Sequence, residues 1–442
     1  HAVRPLVPCT SRSAPGLSMP VLKEESRRWA SMLLALSGLA ALAASAEQVG
    51  EQAAEAAGTQ PPAATATPPI ETSARPPRLL LLPHGGSDDV GGDMGETILD
   101  DLGIETEGHS IPASGEWVAA PIPFRSGLLG WGLKFGVAKL TPARSTSDQP
   151  RINIAGIGGM YAEGGSWGAA AGDRRYWGGG RWRTTVGFGT GEIDYEVRLS
   201  QEFEQLTLPV RQQLNGGLLN VSYNFAEHAW IGGGIRYGRS PISIPLLPDG
   251  IAELLPDLTF EMAGVRLNGE WDTRDDTFYP RRGSLSELSV DYTQSDSVLD
   301  TTRFFNYRFE YNGYRPIDER NVLAWRAAGQ VVDGDAPFFA LAWFGSGADL
   351  RGYTPGRYIG KSLVAVQAEW RWQATRRLGF VAFGGTGRIS NPVLGFEAPG
   401  WLPAGGIGLR WRLTDQNRLN FRIDYGRGRD DETLIVSVGE AF

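Results

Sequence analysis

The stretch Phe305-Asn-Tyr-Arg-Phe-Glu-Tyr-Asn312 sets four rings, Phe305, Tyr307, Phe309 and Tyr311, on one side of an extended chain. Asn306, Arg308, Glu310 and Asn312 fall on the other. The same period returns in Val364–Gln373, where Val364, Val366, Ala368, Trp370 and Trp372 oppose Ala365, Gln367, Glu369, Arg371 and Gln373. It recurs in Leu219–Phe225, Ile407–Leu413 and Leu419–Tyr425. Strict period two with one aromatic face and one charged face describes a strand with one side in oil and one in water. A soluble sandwich also alternates, but its strands run to about five or six residues and need no rows of Trp, Tyr and Phe. Strands of about ten residues suit a tilted crossing of a bilayer.

The fold class that follows is all-β, a transmembrane antiparallel β-barrel behind a disordered N-terminal extension. Fifteen strands can be placed between Leu128 and Phe442. Single-chain bacterial barrels have even numbers, so sixteen are expected, the missing one near Trp117–Phe124 or within Asp194–Pro209. The chain closes on Thr433–Phe442, where Leu434, Val436 and Val438 alternate and Phe442 is last. In a barrel such an aromatic end belongs in the interfacial girdle.

Composition bounds the rest. The chain has 442 residues, 59 Gly, 14 Trp and one Cys, and no run of about 20 apolar residues in its last three quarters, which excludes a helical bundle there. A mean hydropathy of −0.22 is compatible with a barrel, half of whose strand residues face a wet lumen. A formal charge of −8 argues against nucleic acid as partner. Residues 1–18 read as lying upstream of the true start at Met19. From there Lys23, Arg27 and Arg28, the apolar Met32–Ala44 and the small-residue site Ala44-Ser45-Ala46 form a signal peptide over residues 19–46. Residues 47–120 read as a Pro/Ala-rich linker ending in Asp88–Glu107, with eight acids and no base. The barrel is expected over residues 121–442.

No enzyme is indicated. His84, His109 and His228 lack metal spacing and no Gly-x-Ser-x-Gly elbow occurs. No catalytic residue, metal site or cofactor is therefore assigned. Gly187-Phe-Gly189-Thr-Gly191 lacks the Lys-Ser/Thr of a phosphate loop and reads as strand glycines.

Two segments are more specific than alternation. Asp272-Thr-Arg-Asp-Asp-Thr-Phe-Tyr-Pro-Arg-Arg-Gly283 is a turn in which Pro280 fixes φ and Gly283 can adopt positive φ. Phe344-Gly-Ser-Gly-Ala-Asp-Leu-Arg-Gly-Tyr353 lies in a connection from about Asp333 to Lys361, long enough to suggest function. Together these resemble the BamA/TamA family of outer-membrane insertases and two-partner secretion pores. Asp272, Arg274, Asp275, Pro280 and Gly283 resemble its periplasmic turn. Leu350, Arg351, Gly352 and Tyr353 resemble the tip of its sixth extracellular loop, which folds back into the lumen. Gln367-Ala-Glu369-Trp-Arg371 resembles the following strand, and Gly439-Glu-Ala-Phe442 the C-terminal signal.

The resemblance implies a lumenal contact of Arg351 with Glu369, beside Arg371. Where the family's next strand carries Asp, this chain has Gly385, so Asp424 or another lumenal acid is the candidate second partner. The family's periplasmic POTRA domains find no counterpart in the short, Pro- and acid-rich stretch before residue 121.

Two functions remain open. One is assistance in protein or lipid insertion or translocation at the outer membrane of a Gram-negative bacterium, through a weak seam between first and last strands, with lipid, client outer-membrane proteins and a separate periplasmic partner. The other is a closed barrel serving as a channel or anchor. Arg371, Arg410, Arg412 and Arg422 share lumenal parity, so the acidic residues 88–107 are expected either to plug the barrel or to stay a solvated tether.

Overall fold

The computed structural model of the chain describes residues 116–143, 151–199, 206–245, 258–276, 279–345, 349–392, 400–413 and 420–442. The signal peptide and the acidic residues 88–107, with the expected plug, lie outside the described residues.

The strands are β1 Glu116–Ser126, β2 Gly130–Pro142, β3 Ile152–Ala162, β4 Trp167–Trp177, β5 Trp182–Leu199, β6 Leu206–Ala226, β7 Ala229–Ser243 and β8 Leu258–Asp272. They continue with β9 Gly283–Asp296, β10 Thr301–Pro316, β11 Asn321–Gly334, β12 Ala342–Trp343, β13 Ile359–Gln373, β14 Leu378–Pro392, β15 Trp401–Arg412, β16 Asn420–Arg427 and β17 Glu432–Val438. Each pairs antiparallel with its neighbour, β11 pairs directly with β13, and β17 returns to β1. The two-residue β12 lies inside a connection, which leaves sixteen strands in a closed wall. The sixteenth strand is β1. The stretch after Asp194 adds no strand of its own; it lengthens β5 and β6, which pair continuously from Trp182↔Tyr223 to Leu199↔Leu206. The wall also starts at Glu116, before the expected boundary at residue 121.

The sidedness follows the sequence pattern. Leu267 is 68% exposed and Ile407 67%, and Ile157, Phe188, Ile235, Phe309 and Val366 join them on the outer face. Water would not tolerate an apolar belt of that extent, so it faces lipid. Exposed Trp177, Trp182, Trp271, Trp372 and Trp411 sit where strands meet one rim, and Trp131, Trp167 and Trp401 sit at the other. These are the two aromatic girdles of a membrane barrel. The rim where β11 gives way to β13 is the loop end; the rim where β8 gives way to β9 is the turn end. The hairpin β5–β6 extends past the belt at the loop end, where its outer side turns polar and Arg211 bonds Asp194 at 2.8 Å.

Inside, the lumen is lined with charge. Asp291, fully buried, is met by Arg266 at 2.7 Å and Arg236 at 3.2 Å. Toward the loop end the inward residues become apolar. Ile193, Tyr195, Val197, Val210 and Val332 pack against Phe339, Leu341 and Trp343, which come from the inward connection between β11 and β13. The core of this protein is therefore a plug at one end of the barrel, where a loop replaces water.

Candidate functional site: the inward loop and the seam

Residues 335–345 and 349–358 enter the lumen from the loop end. Pro337 opens a single 3-10 turn, Phe338–Ala340, and β12 pairs Ala342↔Gly360 and Trp343↔Ile359 on β13. Gly345 (φ +88°) then turns the chain down, and Asp349 accepts the Gly345 N–H at 2.8 Å. Burial pushes the Asp349 carboxyl up to about 6. Leu350, Arg351 and Tyr353 are all at most 2% exposed.

Arg351 is the anchor. Its Nη2 donates to Glu369 Oε2 at 2.5 Å, its Nη1 to Asp424 Oδ2 at 2.8 Å, and its Nε to Gln367 Oε1 at 3.2 Å. The guanidinium carbon lies 3.7 Å from the Phe383 ring centroid. Glu369 and Gln367 share a face of β13 because they are two apart, and Asp424 comes from β16, three strands further round the wall. Both carboxylates are used again. Arg371 Nε donates to Glu369 at 2.5 Å, and Arg410 Nη1 donates to Asp424 at 2.5 Å. Arg422 Nη1 lies 3.8 Å from the same Asp424, and Arg412 Nη2 donates to Gln373 Oε1 at 2.9 Å.

The tip is held on both flanks. Gly352 (φ +112°) donates its N–H to Thr433 Oγ1 at 3.1 Å, and a Cβ there would lie 3.2 Å from that of Ala404. Tyr353 donates its hydroxyl to Pro403 O at 2.7 Å, and Thr354 N–H reaches Asp431 at 2.8 Å. Among the described residues, sequence reasoning missed the contacts of Phe383, Thr433 and Asp431; Gln367 stood in the strand motif, on the face it shares with Glu369.

The absence of Asp at Gly385 has a steric cause. A Cβ on Gly385 would stand 2.3 Å from Val366 O and 2.8 Å from Leu350 Cδ1. Leu350 fills the place of a side chain, and Asp424 carries the second charge. Gly385→Asp should therefore not strengthen the anchor. Overpacking of about 1–3 kcal/mol should lower the temperature at which heat-modifiable migration is lost on a gel. A raised transition would contradict this account.

At the turn end, Asp272 accepts Arg274 N–H at 2.9 Å and its Nη2 at 2.7 Å, and Asp275 accepts the Arg281 and Arg282 amides at 2.9 and 3.0 Å. Gly283 holds φ +91°, with Thr273 O 2.0 Å from where a Cβ would be. Pro280 O lies 3.5 Å from Arg371 Nη1, so the turn meets the floor of the same charged network.

The seam is the weakest junction in the wall. Strands β1 and β2 pair along their whole shared length, from Glu116↔Leu140 to Ser126↔Gly130, whereas β1 and β17 share a single register pair, Arg125↔Val436. Arg125 Nη1 adds one bond to Leu434 O at 2.8 Å. Beyond Val438, Gly439 (φ +95°) turns the chain inward. Glu440 accepts from Arg410 Nε at 2.8 Å and from Asn420 Nδ2 at 2.7 Å. Phe442 is not in the outer girdle. Its carbonyl accepts from Arg371 Nη2 at 2.7 Å, and its ring lies 5.7 Å from the Arg371 guanidinium and 5.9 Å from that of Arg351. A flat cation over a ring supplies what lipid would otherwise have supplied.

The two edges also overlap. Ser437 and Ile435 sit opposite the lumenal Arg422 and Asp424, so Val438 has outward parity on β17. Yet Val438 is buried in one cluster with Ile122, an inward residue of β1, and with Leu413 and Phe421. Strand β17 therefore passes on the lumen side of β1.

Fold and site together define a membrane β-barrel whose longest connection is pinned inside its own lumen and whose closing seam is nearly unpaired. Residues 174–442 match the Omp85 superfamily domain, and the chain belongs to that superfamily, whose barrels lie in the bacterial outer membrane. Among solved structures it is similar to BamA from Haemophilus ducreyi lacking POTRA domains 1–3, with 11% identity and a TM-score of 0.53 over 76% of this chain and 74% of that one. It is also similar to CdiB from Escherichia coli, with 12% identity and a TM-score of 0.50 over 74% of this chain and 63% of that one. At these identities the likeness is one of fold. No curated protein matches the sequence.

Proposed function

We propose that the protein is a non-enzymatic barrel of a Gram-negative outer membrane that assists the insertion or translocation of protein or lipid through its seam. The observation that carries this reading is the single β1–β17 register pair. An unpaired strand edge is a template for another strand, and here it borders lipid rather than water. The clients are outer-membrane proteins, delivered by a separate periplasmic partner. A channel for solutes is the second reading, and it is disfavoured by the apolar cluster and the anchored loop that fill the lumen at the loop end.

The test is a lock. In a Cys9→Ser background, Arg125→Cys/Val436→Cys ties the one existing rung. Proteoliposomes carrying the reduced protein should speed the folding of a urea-denatured eight-stranded barrel protein. Oxidation should abolish most of that acceleration, and reductant should restore it. Equal rates in both states, or no acceleration at all, would defeat the proposal.

A further inference from the structure

The seam parts at a definite point, and the backbone explains where. Trp131 O accepts the Glu163 N–H, so Trp131 and every second residue from it direct their peptide groups toward β3. Gly132, Lys134 and Gly136 therefore face β1, opposite Phe124, Ile122 and Ala120. The alternate residues of β1, Ala119, Pro121, Pro123 and Arg125, face away from β2 and toward β17. On β17 the Gly439 N–H donates to Asn420 O of β16, so Val438, Val436 and Leu434 face β1. Extending the one observed pair, Arg125↔Val436, places Pro123 opposite Val438 and Pro121 opposite Glu440. The two rungs next to it on the turn-end side are proline rungs. A proline nitrogen carries no hydrogen, and its ring Cδ occupies the space the partner carbonyl would need. The last β17 residue is Val438, and Glu440 and Phe442 instead take the lumenal bonds to Arg410, Asn420 and Arg371.

We propose that Pro121 and Pro123 are positioning residues that set where the seam parts: by denying donors to Val438 and Glu440 they hold residues 439–442 in the lumen and keep the turn-end half of the β1 edge free for an incoming strand. The last clause rests on the proposed function; the positioning itself does not. The rule that proline belongs on edge strands gains a purpose here, because in a closed barrel no edge should exist. The donor-poor edge still offers the carbonyls of Ala119, Pro121 and Pro123. These carbonyls can accept N–H groups from an incoming strand.

The experiment replaces both prolines in the full chain, Pro121→Val/Pro123→Val, which restores two donors with lipid-compatible, β-favouring side chains. Deuterium uptake is followed on peptides covering residues 117–126 and 432–442 in detergent micelles. Each restored bond should favour the zipped seam by roughly fivefold, and the pair by roughly 30-fold. The amides of Val438, Glu440 and the two new valines should become protected. Pro123→Val alone should give the intermediate effect at Val438, and heat-modifiable migration reports that each variant has folded. Unchanged uptake in folded variants overturns the proposal. The same variants in the proteoliposome assay separate the two readings. Protection with slowed client folding supports both. Protection with client folding at the parent rate keeps the role of the prolines and overturns insertion through the seam.

Discussion

Arg351→Ala should release the inward loop. The guanidinium is 2% exposed and serves three acceptors on two strands. Its removal leaves two buried carboxylates each short of a partner, a loss that typically costs 3–5 kcal/mol. Here the lower end applies, about 3 kcal/mol, because Glu369 keeps Arg371 and Asp424 keeps Arg410. That is roughly a hundredfold shift in the docking of the loop. Trypsin should then cut after Arg357 within minutes, while the parent protein resists. In planar bilayers the variant should show a larger and noisier conductance. Arg351→Lys should fall between the two, since an ammonium keeps the charge but cannot bridge Glu369, Asp424 and Gln367 with a fixed planar fork. A variant as protease-resistant and as closed as the parent would show that the anchor lies elsewhere.

The second large effect is expected at the other contact of the same loop. Trp343 is 6% exposed, meets Tyr195 edge to face at a centroid distance of 5.6 Å, and donates its indole N–H to Phe338 O at 3.1 Å. Its cluster includes Phe339, Leu341, Val332 and Ile359. Truncation of a buried Trp costs about 3–5 kcal/mol in transfer and cavity terms. Trp343→Ala should therefore lower the heat-modifiability transition and raise bilayer conductance, with Arg351 still docked. The double variant distinguishes a loop of two independent contacts from one that moves as a unit. Additivity within about 0.5 kcal/mol indicates the first, and a shortfall of 1 kcal/mol or more indicates the second. Unaltered conductance in Trp343→Ala would mean that the apolar cluster is not what closes the loop end.

The sixteen-stranded wall was legible because strand parity is local. Phe309 against Glu310, or Trp370 against Glu369 and Arg371, assigns lipid and lumen sides from two neighbouring residues, whatever the rest of the chain does. The turn at Asp272–Gly283 was legible for the same reason, since its bonds run between residues close in sequence. Parity also put Arg351's partner Glu369 and the arginines 371, 410 and 422 on one side, but it could not say which acid met which base. That depends on distances across the lumen, and only closure of the wall brought Asp424 of β16 to Arg351. β1 was nearly lost to sequence reading because Pro121 and Pro123 interrupt its pattern, and those prolines mark its place at the seam. Phe442 reads as a girdle residue by analogy with any barrel strand, yet its position was decided by a cavity rim of Arg371 and Arg351 that exists only after folding. The rule of a polar interior failed where Tyr195, Val197 and Val210 face inward, because a loop from far along the chain replaces the water there. Short-range alternation settled which face each residue takes. Ring closure, which couples the first strand to the last and a loop to the wall around it, settled what each face meets.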